Sequence, residues 1–180
     1  MKLFNPVKLV ALACMLGIIN IQARGIKVCF EAESAENIEK PMITLSNKIK
    51  NVSGAVISIP EKAGNPPELC KGSAQYCLEL PGKGYYTLWC RVWWNGECSN
   101  SFTVRINENP PILFGEDATY KAWHWVKYPV SRTSPKIQLN AGDHSLKIEN
   151  REDGIMIDQI ILSADKRFVP VDIEETGTFR

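Results

Sequence analysis

The stretch that decides the fold reads Gly84-Tyr85-Tyr86-Thr87-Leu88-Trp89-Cys90-Arg91-Val92-Trp93-Trp94. Its character alternates with a period of two, as in a strand, where successive side chains point to opposite faces of a sheet. Tyr86, Leu88, Cys90 and Val92 share one apolar face that must turn to a core, which leaves Trp89, Arg91 and Trp93 pointing the other way. The run from Trp123 to Val130 repeats the arrangement, with His124, Val126, Tyr128 and Val130 on one side and Trp123, Trp125 and Lys127 on the other. These two runs hold all five tryptophans of the chain. An aromatic patch of that size off the main core is either covered by a loop or used to bind something. Indole suits the second use, because its broad apolar face can stack on a sugar ring while neighbouring groups bond the hydroxyls.

Working outward, the same alternation recurs, and no window shows a helical stripe. Strands are expected at Ile26 to Glu33, Ala55 to Ile59, Ala74 to Leu80, Tyr85 to Trp94, Ser101 to Ile106, Trp123 to Val130, Lys136 to Leu139, His144 to Glu149 and Ile155 to Leu162. Turn signals separate them, among them Asn65-Pro66-Pro67, Pro81-Gly82-Lys83-Gly84, Asn109-Pro110-Pro111, Ala141-Gly142-Asp143 and Asp153-Gly154. Many short strands at this spacing argue an all-β chain folded as a two-sheet β-sandwich or jelly roll. Residues 24–169 make one domain's worth of chain, and the tail from Pro170 to Arg180 reads as a frayed end or a stub of linker.

The amino terminus has the layout of a secretory signal peptide over residues 1–23: Lys2 and Lys8, an apolar run from Leu9 to Ile19, then Ile21-Gln22-Ala23. That run is shorter than the roughly 20 residues of a transmembrane helix, and no later stretch reaches that length. Ala11 stands where a lipobox has Leu, which argues against acylation of Cys14 and for a secreted, periplasmic or cell-surface protein. A net charge of +1 with interspersed signs gives no electrostatic footprint for nucleic acid. Beyond the leader stand Cys29, Cys70, Cys77, Cys90 and Cys98, an odd set. Cys70 with Cys77, or Cys90 with Cys98, would close short loops, but sequence does not choose among the pairings. The spacings do not match the close cysteine pairs of a structural zinc site.

Four segments in series resemble the non-catalytic carbohydrate-binding modules of families 6 and 35. They are Phe30-Glu31-Ala32-Glu33, the Gly84 to Trp94 strand, Ala141-Gly142-Asp143-His144-Ser145-Leu146 and Ile157-Asp158-Gln159-Ile160. The resemblance implies a galactose-binding-like jelly roll that holds glycan outside the cell. It also implies a structural calcium on Glu31, Glu33 and Asp158. The chemistry agrees, since two glutamates two apart on one strand share a face and calcium takes hard carboxylate oxygens. The family's cleft lies among loops at one end of the sandwich. Carried over, it makes Trp93 or Trp94, and Trp123, the stacking residues. Trp125, on the same face as Trp123, is a further ligand candidate, and His124, which shares parity with Val126, is either a hydrogen-bonded core or rim residue or a ligand contact. Asn100, Asn150, Arg151, Glu152 and Asp153 are polar candidates at strand ends and turns. Arg91 either stacks on its neighbouring tryptophans or reaches a sugar hydroxyl. One departure stands out: many family members carry Asn just before the closing Ile-Asp, and this chain carries Met156.

Catalytic signatures are missing from the sequence. No G-x-S-x-G motif is present, and His124 and His144 are the two histidines available for a triad. Glu152 and Asp153 are adjacent and diverge, as in a solvated turn, unlike two carboxyls facing across a glycosidase cleft. The expected function is therefore non-catalytic carbohydrate binding by a monomer, by tryptophan stacking and polar contacts, with a separately encoded glycoside hydrolase or surface protein as partner. Arg91, Lys127 and Arg151 would suit an acidic glycan. The competing expectation is a structural or adhesive module whose aromatic surface docks another protein domain.

Overall fold

The structure is a computed structural model and describes residues 25–46, 49–63 and 71–179. The expected signal peptide, Cys14 and Cys70 lie outside the described residues. Thirteen strands follow in order, beginning with β1 (Lys27–Glu31), β2 (Asn37–Glu39), β3 (Ile43–Leu45) and β4 (Val56–Ile59). The middle of the chain forms β5 (Ser73–Leu80), β6 (Gly84–Trp94), β7 (Ser101–Ile106), β8 (Ile112–Gly115) and β9 (Trp123–Tyr128). The last four are β10 (Ile137–Leu139), β11 (Gly142–Asn150), β12 (Ile155–Ser163) and β13 (Gly177–Phe179). Among the described residues the helical element is a 3₁₀ turn over Ala32–Ser34. No helix among them is long and apolar enough to cross a membrane.

The strands form two antiparallel sheets, an all-β jelly-roll sandwich. The larger runs β10-β6-β12-β1-β13, with β9 also on β6 and the pair β3-β4 on β12; the smaller runs β2-β5-β11-β7-β8. Parity on β6 holds: Tyr86, Leu88, Cys90 and Val92 are buried in the core between the sheets, with Ile57, Ile157 and Ile160 beside them and Phe102, Val104, Leu146 and Ile148 facing them. Phe102 stacks on Phe114 with ring centroids 5.5 Å apart, and Trp94 tilts against Phe102 at 5.9 Å. Fully burying one such side chain stabilises the fold by roughly 1.5–3 kcal/mol. Gly115 closes β8 onto β7 with φ +98°, and a Cβ there would lie 2.0 Å from the Asn100 carbonyl oxygen, so glycine is required.

Four expectations need correction. Glu33 does not continue the first strand but sits in the 3₁₀ turn after Glu31. The ninth strand stops at Tyr128 because Pro129 has no N–H to carry the ladder further. The tail is ordered: Gly177–Phe179 pairs with β1. The Glu174 carboxylate accepts a hydrogen bond from Lys27 Nζ at 3.0 Å, and its backbone N–H and C=O bond the Gln159 side chain at 2.9 and 2.8 Å. Cys29, Cys77, Cys90 and Cys98 are free thiols, so the Cys90–Cys98 pairing does not form; Cys90 is in the core while Cys98 is exposed.

Candidate functional site

The outer face of the larger sheet divides into three bands, set by the rows of side chains that lie opposite one another across neighbouring strands. The first is apolar and covered. Cys29, Ile161 and Trp89 form a small second core there, with Trp125 and Phe168 packed against it. The carboxy-terminal segment lies over this band, and Trp125 Nε1 donates to the Asp172 carbonyl at 2.9 Å. Half of the expected open tryptophan surface is thus roofed by the chain itself.

The second band is ionic and buried. The register of β12 slips between Ile157 and Gln159, a bulge that turns both Asp158 and Gln159 to the outer face. Arg91 Nη1 donates to Asp158 Oδ2 at 2.7 Å and to the Asn51 carbonyl at 2.8 Å. Its guanidinium also lies over the Trp123 ring, 5.2 Å from the centroid. Arg91 is 4% exposed, so it orients the loop at Asn51 and the Trp123 ring and does not reach a ligand.

The third band is the half-buried row Ile43–Ser58–Met156–Trp93–Trp123, which crosses β3, β4, β12, β6 and β9 with each residue opposite the next. Directly opposed residues in antiparallel strands share a face and touch. Trp93 and Trp123 have centroids 5.9 Å apart at 58°. Trp123 Nε1 donates to the Lys50 carbonyl at 3.1 Å, tying the ring to the same loop that Arg91 holds. Met156 is therefore the direct neighbour of Trp93. Rim residues follow at the strand ends, where the Asn95 side-chain amide donates to Glu61.

The remaining expected site residues are placed elsewhere. Trp94 has the opposite parity to Trp93 and is fully buried in the core, so of the pair only Trp93 is on the outer face. His124 packs edge-on against Trp94, with Nε2 3.1 Å from Asp117 Oδ2 and Nδ1 3.0 Å from the Ala122 carbonyl. A ring engaged at both nitrogens holds the loop before Trp123 and is not offered to a ligand. Burial pushes the Asp117 carboxyl up, but hydrogen bonds from Thr119 N, Trp94 Nε1 and His124 outweigh it and hold Asp117 below the usual carboxylate value. Asn100 N and Ser101 Oγ both donate to Glu152 Oε2, at 2.9 and 2.6 Å. Arg151 bridges Glu152 and Glu116 at 3.1 and 3.2 Å. Asn100 and Asp153 are buried. Asn100, Arg151 and Glu152 thus pin turns to the smaller sheet instead of lining the tryptophan row.

The carboxylates expected to hold calcium are near one another. Burial lifts Glu31 above its ordinary value, with the charges of Asp158 and Glu33 adding, against hydrogen bonds from Ser53 and Gln159. Burial likewise lifts Asp158, against the pull of Arg91. Glu33 Oε1 accepts from Ala55 N at 2.8 Å. The other oxygens, Glu31 Oε2 and Glu33 Oε2, are buried without a hydrogen-bond partner. Orphaned buried carboxylate oxygens are the donor chemistry a hard cation takes. Among the described residues no three His, Cys, Asp or Glu side chains are gathered into a ready metal cluster, so main-chain carbonyls would have to complete a shell.

Sequence reasoning missed Ser58, Asp117 and the Lys50 and Asn51 carbonyls. Parity would have put Ser58 on the outer face, as a polar break in the run Val56-Ile57-Ser58-Ile59. Nothing local marks the two carbonyls.

No family model matches the chain, and no curated protein matches it in sequence. Solved structures do. A family 35 carbohydrate-binding module from Clostridium thermocellum matches with TM-score 0.54 and 19% identity, covering 77% of this chain and 98% of that module. The C-terminal family 6 module of LamC, a marine laminarinase from Zobellia galactanivorans, matches with TM-score 0.53 and 15% identity, covering 76% and 98%. The exo-β-1,3-galactanase of Phanerochaete chrysosporium, solved with galactose, matches with TM-score 0.54 and 18% identity over 76% of this chain, which spans 29% of that enzyme. The fold is that of carbohydrate-binding modules of the family 6 and family 35 type.

Proposed function

We propose that this chain is an exported, non-catalytic carbohydrate-binding module whose ligand stacks on Trp93 and Trp123. The observation that carries the reading is the row Met156–Trp93–Trp123, half-buried at the loop end of the larger sheet and held rigid from beneath by Arg91 and Asp158. Rings fixed in advance lose little freedom on binding, so stacking is not offset by an ordering cost. The fold shared with modules of families 6 and 35 supports this reading, as does the apolar leader for export to the cell exterior. A calcium ion held by Glu31 and Glu33, with Asp158 beside them, would satisfy the orphaned oxygens and stiffen the turn under the loop at Asn51. Polysaccharide is the natural ligand class, and a separate glycoside hydrolase or surface protein the partner it serves.

A second reading draws on the carboxy-terminal segment. Val169, Val171 and Ile173 are 65%, 70% and 41% exposed close together along the carboxy-terminal segment, which favours docking of another protein domain. A glycan microarray, run with calcium and with chelator, separates the two. The sugar reading expects binding that is lost in Trp93→Ala and Trp123→Ala; a blank array for the folded parent protein overturns it.

A further inference from the structure

Among the described residues, the hydrogen-bonding side chains of Ser58, Trp123 and Arg91 along the tryptophan row are all committed to partners within the chain. Ser58 Oγ is buried and donates to the Ile155 carbonyl at 2.8 Å. Trp123 Nε1 donates to Lys50 O, and Arg91 to Asp158 and Asn51 O. Apart from the Trp93 indole N–H, the half-buried members of the row are apolar: the Trp93 and Trp123 rings and, directly opposite Trp93, the Met156 side chain, with Ile43 beyond Ser58. Methionine is flexible and polarisable, and it fits against aromatic edges and small apolar groups.

Resting on the carbohydrate reading, we infer that Met156 is the specificity-determining residue of this site and selects pyranose rings bearing a methyl group, either a 6-deoxy carbon or an acetyl. An ordinary hexose laid on this floor would bring a hydroxymethyl or hydroxyl against Met156 and leave it without a partner, a cost that grows as water is excluded. Replacing that hydroxyl by hydrogen, or by an acetamido group whose methyl meets Met156 while its C=O and N–H stay in water, removes the cost and adds apolar contact. One methyl in an apolar pocket is worth upwards of about tenfold in affinity, and this half-open row is placed at the lower end.

The test uses matched sugars and the indole N–H resonances of the intact folded protein, assigned with Trp93→Phe and Trp123→Phe. D-fucose is titrated against D-galactose, 6-deoxy-D-glucose against D-glucose, and N-acetyl-D-glucosamine against D-glucose. The expected result is perturbation of Trp93 and Trp123 at about tenfold lower concentration for the methyl-bearing member of at least one pair; which pair responds tells the deoxy from the acetyl source. Met156→Asn should collapse that ratio to near one while Met156→Leu keeps it, with melting temperatures of both near the parent. Hexoses binding as tightly as their methyl-bearing partners, or an unchanged ratio in Met156→Asn, overturns the inference and leaves carbohydrate binding standing. Perturbation by none of the sugars overturns both. If Met156→Asn fails to fold, the ratios in the parent protein decide alone.

Discussion

Trp93 and Trp123 face one another across β6 and β9, with Met156 opposite Trp93 on its other side and Trp123 on the edge strand, their ring centroids 5.9 Å apart. One residue further along β6, Trp94 is in the core with no exposure at all. Adjacent tryptophans thus have opposite tasks, and substitution separates them. Trp94→Ala should destabilise by about 3–5 kcal/mol, as expected of a large core deletion. Trp93→Ala and Trp123→Ala should each cost roughly 1–2 kcal/mol, in line with partial burial, while abolishing glycan binding. Urea denaturation measures the first set; equal stability losses for all three would assign the outer pair to the core as well.

The buried pair Arg91–Asp158 supports the row from below, and breaking it on one side leaves a charge stranded. Arg91→Met is expected to destabilise by about 3–5 kcal/mol. Adding Asp158→Asn should recover much of that loss, because the stranded carboxylate is then neutral. A double variant no more stable than the single one counts against the pair as the main term.

Calcium dependence carries a defined pH signature. Glu31 and Asp158 titrate above their ordinary values in the folded chain. Their contribution to stability is therefore present in full below the unfolded carboxylate range, about pH 4 to 5, and is lost as pH rises through the folded values. Calcium binds the deprotonated forms and offsets that loss. The melting-temperature difference between calcium and chelator should be large at pH 7, fade as pH falls through the raised folded values and before the ordinary carboxylate range is reached, and shrink at pH 7 in Glu33→Gln. A difference that is independent of pH, or identical in Glu33→Gln and the parent, contradicts calcium at these residues.

Removing residues 168–180, which takes away Phe168 as well as Asp172, should uncover Trp89 and Trp125. The measurable results are red-shifted tryptophan emission, dye binding to exposed apolar surface and a lower melting temperature, since Lys27–Glu174 and the Gln159–Glu174 bonds go with the segment. Unchanged emission would mean that the segment does not cover those rings in solution.

Thiol chemistry follows burial. Desolvation pushes the Cys29 thiol up to about 12, with the positive charge of Lys27 pulling the other way, and drives Cys90 higher than its ordinary value as well. Cys77 and Cys98 are exposed. Iodoacetamide under native conditions should modify Cys98 and Cys77 and spare Cys29 and Cys90, as mass spectrometry of peptides will report. Early modification of Cys90 would place it outside the core.

Parity was a sufficient guide to the core of β6 and to the separation of Trp89, Arg91 and Trp93 from it, because period-two alternation is a local property of the strand. It was silent on what lies above the outer face. The roof over Trp89 and Trp125 comes from residues more than 40 positions downstream of Trp125, at Asp172. Trp94 was legible as core by the same parity that placed Val92, and the loop-end cleft of the resembling families drew it into the site instead; for His124 parity with Val126 already pointed inward. Asn100, Arg151 and Glu152 read as open polar residues at turns; their mutual pairing depends on β7 and β11 meeting in space. The short β2, β3, β8 and β13 carry too few alternating residues to announce themselves.

The central claim is that rigid tryptophans at the loop end of one sheet bind polysaccharide. Affinity electrophoresis of the parent protein, Trp93→Ala and Trp123→Ala through gels containing a panel of neutral and acidic polysaccharides tests it most directly. The account predicts that at least one polysaccharide retards the parent and neither variant. Free migration of the parent in every gel, or equal retardation of the variants, would contradict it.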